Sequence, residues 1–401
     1  GAGLRADLSH YTTDGYRDHS AAERNQFNAK GVWNAGPDTT LTGVLNLFRQ
    51  PLAQDPLGLT RAQFEQDPRQ AASVATTFDT RKRIDQDQAG LLAEHRLGQS
   101  DRLNARFYTG TRSVFQTLSM SGAAANSSGG VVDLDNRYHG ASLSWSHGVS
   151  ATAPLGWTVG VEADRLDQQR RGYVNNNGTP GALRRDETDR ASNVDLFGQL
   201  EWAFAPQWKA TAGARASRVR LSVDDRYVTA ASPNDSGGVD YSHTSPVAGV
   251  VWHAADELNV YANVGRGFET PTLTEIAYRL GGTGPNFNLR ASTSLQMEAG
   301  VKWRGQRQSI DVALFRSRSA DEIVPLVNDN GRTIFQNVDG VKRQGVEATW
   351  KRDWQGVTTQ LAYTFLDARF DQAYTSGSGA TAAIVAAGNA LPGAPRHSLF
   401  G

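Results

Sequence analysis

Apolar and polar residues alternate one for one along most of this chain, in stretches of 11–20 residues that come in pairs. In 193–204 the apolar set is Val194, Leu196, Leu200, Trp202 and Phe204, with Asp195, Gln199 and Glu201 between them. Leu258, Val260, Ala262 and Val264 alternate with Asn259, Tyr261 and Asn263, and Leu295, Met297, Ala299, Val301 and Trp303 with Gln296, Glu298 and Lys302. Val346, Ala348 and Trp350 alternate with Glu347, Thr349 and Lys351 in the same way. Side chains of a β-strand point to opposite faces with a period of two, so each stretch reads as a strand with one apolar and one polar face. The pattern predicts strands at 4–17, 24–34, 39–50, 84–97, 101–114, 138–149, 156–170, 191–205, 208–223, 244–255, 258–269, 291–305, 308–324, 332–351 and 357–371, with another beginning near 396.

The connections sort by length. Short turns follow the even strands. Long connections follow the odd ones, at 51–83, 115–137, 171–190, 224–243, 270–290 and 372–391, with shorter ones at 18–23 and 325–331. All nine tryptophans lie beside the short turns, at 33, 145, 157, 202, 208, 252, 303, 350 and 354. In most of these strands the indole shares parity with the apolar set. Tryptophan favours a membrane–water boundary, because its ring is apolar and its N–H needs a polar partner. A soluble sandwich would instead place its tryptophans mostly in the core. A β-propeller needs four strands per repeat, and here a pair recurs roughly every 50 residues. The expectation is an all-β chain forming a transmembrane antiparallel up-and-down barrel, with short periplasmic turns and long extracellular loops.

Composition agrees. Mean hydropathy is −0.48 and no run of about 18 apolar residues occurs, so no membrane helix is expected, whereas a barrel stays open because only alternate side chains meet lipid. Forty-one Lys and Arg balance 41 Asp and Glu, so no global charge points to nucleic acid. Cysteine is absent, which removes disulfides and thiolate metal sites. The eight histidines show no HExxH or His-x-His spacing, so no metal site, catalytic set or cofactor site is expected. His243 near Asp240 is the nearest approach to an acid–base pair.

Four segments then resemble one family, the TonB-dependent outer-membrane receptors. Tyr261-Ala-Asn-Val-Gly-Arg-Gly-Phe-Glu-Thr-Pro-Thr-Leu-Thr-Glu275 is similar to its mid-barrel strand and following loop, and Gln336-Asn-Val-Asp-Gly-Val-Lys-Arg-Gln-Gly-Val-Glu347 to its Gly-Val-Glu strand. Ala390-Leu-Pro-Gly-Ala-Pro-Arg-His-Ser398 resembles the opening of a later strand, and Asp14-Gly-Tyr-Arg-Asp-His-Ser20 an early loop. The resemblance covers essentially the whole chain. It implies a 22-stranded barrel around an N-terminal plug. Neither plug nor TonB box is visible here, and 15–16 strands fall short of 22, so residues 1–401 are expected to be a partial barrel domain truncated at both ends.

The resemblance further implies an outer-membrane active transporter of a Gram-negative bacterium. Its partners would be outer-membrane lipid and lipopolysaccharide, a TonB–ExbB–ExbD complex acting through plug and box, and a large solute, a ferric siderophore foremost. Cobalamin, haem or a glycan remain alternatives, as does a passive porin. Candidate ligand residues are the guanidinium and aromatic groups of the long-loop side, Arg170, Arg171, Tyr173, Arg184, Arg185, Tyr227 and Tyr278, since guanidinium forks suit anionic chelate oxygens. A solvated loop with its arginines paired to neighbouring acids is the competing reading. Asn259, Tyr261, Asn263, Gln296, Glu298, Lys302 and Glu347 are expected to form a polar inner wall.

Overall fold

The computed structural model describes residues 1–125, 127–150, 153–329 and 332–401. Parts of three expected connections, at 126, 151–152 and 330–331, lie outside them.

One antiparallel sheet of 16 strands winds through the chain as an up-and-down barrel wall. Its first six strands are β1 (Ala2–Thr13), β2 (Ala22–Asn34), β3 (Thr39–Gln54), β4 (Arg81–Leu97), β5 (Asp101–Thr117) and β6 (Val131–His147). The wall continues through β7 (Leu155–Asn176), β8 (Thr179–Ala205), β9 (Trp208–Asp225), β10 (Gly237–Ala255), β11 (Leu258–Glu269), β12 (Ser292–Arg304) and β13 (Gln308–Ala320). A hairpin of β14 (Glu322–Asp329) and β15 (Arg332–Val338) then leaves the wall. The chain rejoins it as β16 (Val341–Trp354) and β17 (Val357–Phe370), makes a small ribbon of β18 (Tyr374–Ser376) and β19 (Ala383–Val385), and returns as β20 (His397–Phe400). The sheet's two edges are β1 and β20. The expected all-β, partial transmembrane-type barrel is what forms.

Three boundaries differ from expectation for physical reasons. The stretch 171–190 is not a loop, because β7 and β8 run on into a hairpin turned by Asn177 and Gly178 alone, at φ 49° and 90°. Two left-handed residues of this kind match the right-handed twist of paired strands. The expected strands 308–324 and 332–351 each break in two. Asp321, at φ 55°, turns the chain out of the wall, and Gly340 brings it back, where a Cβ would meet the Ser319 carbonyl oxygen at 2.3 Å. The connection 51–83 is shorter than expected and holds helices α1 (Arg61–Gln66) and α2 (Ser73–Thr77), the first closed by a Thr60–Gln63 capping box. Arg17, in the segment 14–20, clamps this loop by donating to the carbonyls of Leu57 at 2.6 Å and Gln70 at 2.8 Å.

The two faces follow the alternation. Val194, Leu196, Leu200 and Trp202 are exposed on the outer face, whereas Asp195 is buried on the inner. The indoles gather at the short-turn end, where Trp145 meets Trp157 edge-on at 4.7 Å and Trp208 stacks on Trp252 at 5.6 Å. Trp145 also donates its Nε1–H to Asp101 at 3.0 Å, the polar partner an interfacial indole needs. The outward apolar band has a recurring height on several strands. From Trp145 to Arg137, Trp157 to Arg165, Leu258 to Arg266 and Trp350 to Lys342, the first outward cation comes eight residues above the girdle row, and from Ile310 to Arg316 it comes six above. At about 3.4 Å per residue and a tilt of about 40°, eight residues are roughly 20 Å of membrane depth, close to the band of outer-membrane barrels.

Candidate functional site

The long-loop end carries a packed site on the inner face of β7–β10. Leu221 and Tyr241 on the wall form a core with Leu273, Ile276 and Leu289 of the segment 270–290, which folds inward over them. Ile276 is 1% exposed, and the Tyr241 hydroxyl donates to the Leu289 carbonyl at 2.7 Å. Thr272 and Glu275 start this segment with reciprocal side-chain-to-backbone bonds, the Thr272 N–H to Glu275 Oε2 at 2.8 Å and the Glu275 N–H to Thr272 Oγ1 at 3.2 Å. The Pro-Thr-Leu-Thr-Glu motif is therefore a turn that starts the inward fold.

This fold delivers Tyr278 among three arginines. The guanidinium carbons of Arg170, Arg185 and Arg332 lie 5.3, 5.3 and 5.4 Å from its ring centroid. Arg170 donates from Nη2 to the Tyr278 hydroxyl at 2.7 Å. Arg185 donates from both Nη atoms to the Ala277 carbonyl, at 3.0 and 3.1 Å, and pairs with Glu187 at 2.7 Å. Arg332 donates to Ser127 Oγ at 3.2 Å and to the Gly129 carbonyl, tying the β14–β15 hairpin to the same cluster.

Glu187 and Asp189 lie beneath, both buried on the inner face of β8. Burial, the largest effect, would raise the Tyr278 phenol, yet Arg170, Arg185 and Arg332 together hold it below its ordinary value. Burial, the largest effect, likewise works against the charge of Arg185, but Glu187, Tyr278 and Asp189 together outweigh it, so this guanidinium stays charged. Asp189 is pushed up to about 7, by burial first and then by Glu187, against the pull of Arg185 and Arg170. Among the described residues its Oδ1 is buried with no hydrogen-bond partner. Three cations thus face the buried Glu187 and an Asp189 carboxyl that titrates near neutrality.

The sequence candidates divide. Arg170, Arg185 and Tyr278 are brought together. Arg171 and Tyr173 stand on the opposite parity of β7, with Arg171 weakly paired outward to Asp133 and Asp135 at 4.0 Å each. Arg184 and Tyr227 line a small depression beside the cluster with Arg185 and Asp235. Arg184 donates there to the Ala123 carbonyl at 3.0 Å. Arg332, which completes the cage, carries no sequence signal, being 162 positions from Arg170. His243 and Asp240 face opposite sides of β10, His243 stacked on Phe268 at 5.0 Å and Asp240 beside Arg218 and Arg220.

Below the cluster the inner wall is polar as expected. Tyr108 donates to Asp164 at 2.5 Å, Asn193 to the same carboxylate at 3.0 Å, and Tyr261 to Glu298 at 2.7 Å. A concavity of about 670 Å³ opens over Gln86, Gln88, Arg112, Asn136, Tyr138 and Gln168.

An apolar outer band, an indole girdle at the short turns and an inward-folded long connection define an outer-membrane-type β-barrel. The family model described as TonB dependent receptor-like, beta-barrel, matches residues 4–400, and the chain belongs to this family, one of the outer membrane. Among solved structures it is similar to the unliganded ferric citrate transporter FecA, with 17% identity and a TM-score of 0.77, covering 100% of this chain and 57% of that one. It is similar also to the ferric yersiniabactin uptake receptor FyuA from Yersinia pestis, at 14% identity and a TM-score of 0.76 over 99% of this chain and 60% of that one. For the siderophore receptor PiuA from Acinetobacter baumannii the values are 13% and 0.75, over 100% and 64%. The chain therefore spans about three-fifths of the length of these relatives, and at such identities the likeness is one of fold.

Proposed function

We propose that residues 1–401 form the barrel domain of an outer-membrane TonB-dependent active transporter that takes up a ferric siderophore. The observation that carries this reading is the cation-rich, aromatic cluster on the inner face at the long-loop end, roofed by the segment 270–290. A ferric chelate presents anionic oxygens on a bulky, partly aromatic body. Guanidinium forks and a tyrosine ring match both features. In this reading Arg184 and Tyr227, at the margin, meet the ligand first. Arg170, Arg185 and Tyr278 become available as the inward segment shifts, and Arg171 and Tyr173 serve the outer rim. Energy would come from a TonB–ExbB–ExbD complex acting on a plug held against the polar inner wall. Cobalamin, haem or a glycan is the alternative cargo where no ferric chelate depends on the gene.

Growth under iron limitation is compared with and without the full-length gene, on a panel of purified ferric siderophores. At least one chelate is expected to support growth only with the gene. The double variant R170Q/R185Q should weaken its binding at least about tenfold, the effect of losing charge-assisted hydrogen bonds. If no chelate depends on the gene, the iron reading falls and the barrel assignment stands.

A further inference from the structure

Arg170 and Arg185, the guanidinium groups that the transport reading needs, are each 6% exposed. Tyr278 lies over them, its ring centroid 5.3 Å from both guanidinium carbons and its side chain half-buried. An anion arriving from the long-loop side therefore meets the tyrosine before it meets either cation.

Tyr278 holds the place that such an anion would take. Its hydroxyl oxygen accepts from Arg170 at 2.7 Å, as an anionic oxygen would, and the electron-rich face of its ring serves the three cations. The cage keeps a positive excess, because Arg170, Arg185 and Arg332 stand against Glu187 and an Asp189 carboxyl that is partly protonated near neutrality. A phenol satisfies that excess in part. A full negative charge satisfies it better.

The segment that carries Tyr278 can open without disturbing the wall. It lies outside the ladder, between the end of β11 at Glu269 and the start of β12 at Ser292. Its own backbone bonds run from the Ile276 N–H to the Thr272 carbonyl at 3.1 Å, from Ala277 to Thr274 at 3.3 Å and from Asn286 to Ile276 at 2.7 Å. Side chains supply further ties. At the tip Arg279 and Thr283 each donate to Asp235 at 2.6 Å, and Gly284 permits this approach, since a Cβ there would meet Asp235 Cβ at 2.3 Å. Leu273, Ile276 and Leu289 anchor the two ends in the core, whereas Arg279 and Leu280 between them are exposed. A stretch pinned this way opens at lower free energy than the strands beneath it.

We infer that Tyr278 is a tethered competitor for the anion site: it fills the guanidinium cage of the empty receptor, and an incoming anionic ligand displaces it and so opens the tip 277–286. The inference rests on the transport reading of this cluster and adds its regulation. Apparent affinity is lowered by the fraction of molecules in which the cage is vacated, so any weakening of the tether tightens binding. A tyrosine whose hydroxyl were a ligand contact would act the other way, and its loss would weaken binding.

The test uses the full-length protein in detergent with salicylate as the probe, an aromatic ring that carries a carboxylate and a phenol. Binding is measured by calorimetry, and hydrogen exchange is followed through 270–290. Salicylate should speed exchange in 277–286 and leave the wall strands unchanged. Tyr278→Phe keeps the ring and removes only the acceptor for Arg170. It should bind salicylate about tenfold more tightly, the factor that one hydrogen bond to a charged group is worth. Thr283→Ala loosens the tip without touching the cage or the net charge, and should tighten binding by about threefold. That variant carries the test should Tyr278→Phe not fold. R170Q/R185Q should abolish both the binding and the change in exchange. Equal or weaker binding by the two tether variants, salicylate that slows or leaves unchanged the exchange of 277–286, or binding that survives R170Q/R185Q overturns the inference. Salicylate carries no iron, and growth on ferric chelates is scored separately, so failure of the tether and failure of the cargo reading are distinguishable.

Discussion

Asp189 shows what one residue contributes to the cluster. Its carboxyl sits under Arg170 and Arg185 yet is raised to about 7, because burial and the neighbouring Glu187 outweigh the cations. Unfolded, it titrates near its ordinary 3.8. Between those values the folded chain keeps a proton that the unfolded chain has released, so stability falls as pH rises from about 4 to about 7 and levels off above. The loss is at most a few kcal/mol. Asp189→Asn should flatten this slope, measured as urea midpoints or as hydrogen exchange in 270–290 at pH 5 and pH 8. Identical slopes in the two proteins would sink the assignment. At this scale the sequence was partly legible. Arg170, Arg185 and Tyr278 follow from residue type at the long-loop end, but Arg171 and Tyr173 do not join them. Once β7 is read through to Asn176, adjacent residues must face opposite sides. Arg332 could not be read at all, because nothing local marks which distant hairpin will lean over a given wall.

Among the elements, the β7–β8 hairpin matters most, since its length lifts Arg170, Arg185 and Glu187 above the band. Its turn was written in the sequence as Asn-Gly, but charged residues on both flanks hide the alternation that would extend the strands. Gly178 is at φ 90°, and a Cβ there would meet Asp79 Cβ at 2.7 Å. Gly178→Ala is expected to cost about 1–3 kcal/mol. Asn177→Gly, at φ 49°, should change stability by less than about 1 kcal/mol. Urea unfolding of both variants checks the contrast, and equal effects would show that the turn is not under this constraint. The hairpin tip is also anchored from within. Asn175, 2% exposed, donates to the Phe78 and Leu118 carbonyls and accepts from the Gly178 N–H. The breaks at Asp321 and Gly340 went unseen for the opposite reason: alternation continues through them, and a kink leaves parity intact.

For the whole molecule, the girdle, the eight-residue band and the outward charges set one membrane position. Trp33, Trp145, Trp202 and Trp354 are all well exposed on the outer face or at its short-turn margin. In vesicles, lipids brominated near the carbonyl should quench the intrinsic fluorescence of the full-length protein more strongly than lipids brominated near the chain end. Stronger quenching by the deep bromines would remove the girdle. The sequence by itself determined the strand period, the number of wall strands, the short-turn end and the outward indoles. These depend on which way neighbouring side chains point, a local property of extended backbone. Only the tertiary structure decided which arginines share a ring, that 270–290 folds inward, and that Tyr278 covers the cage. Those juxtapositions depend on register between strands and on loop packing, which join residues with no local relation in the chain.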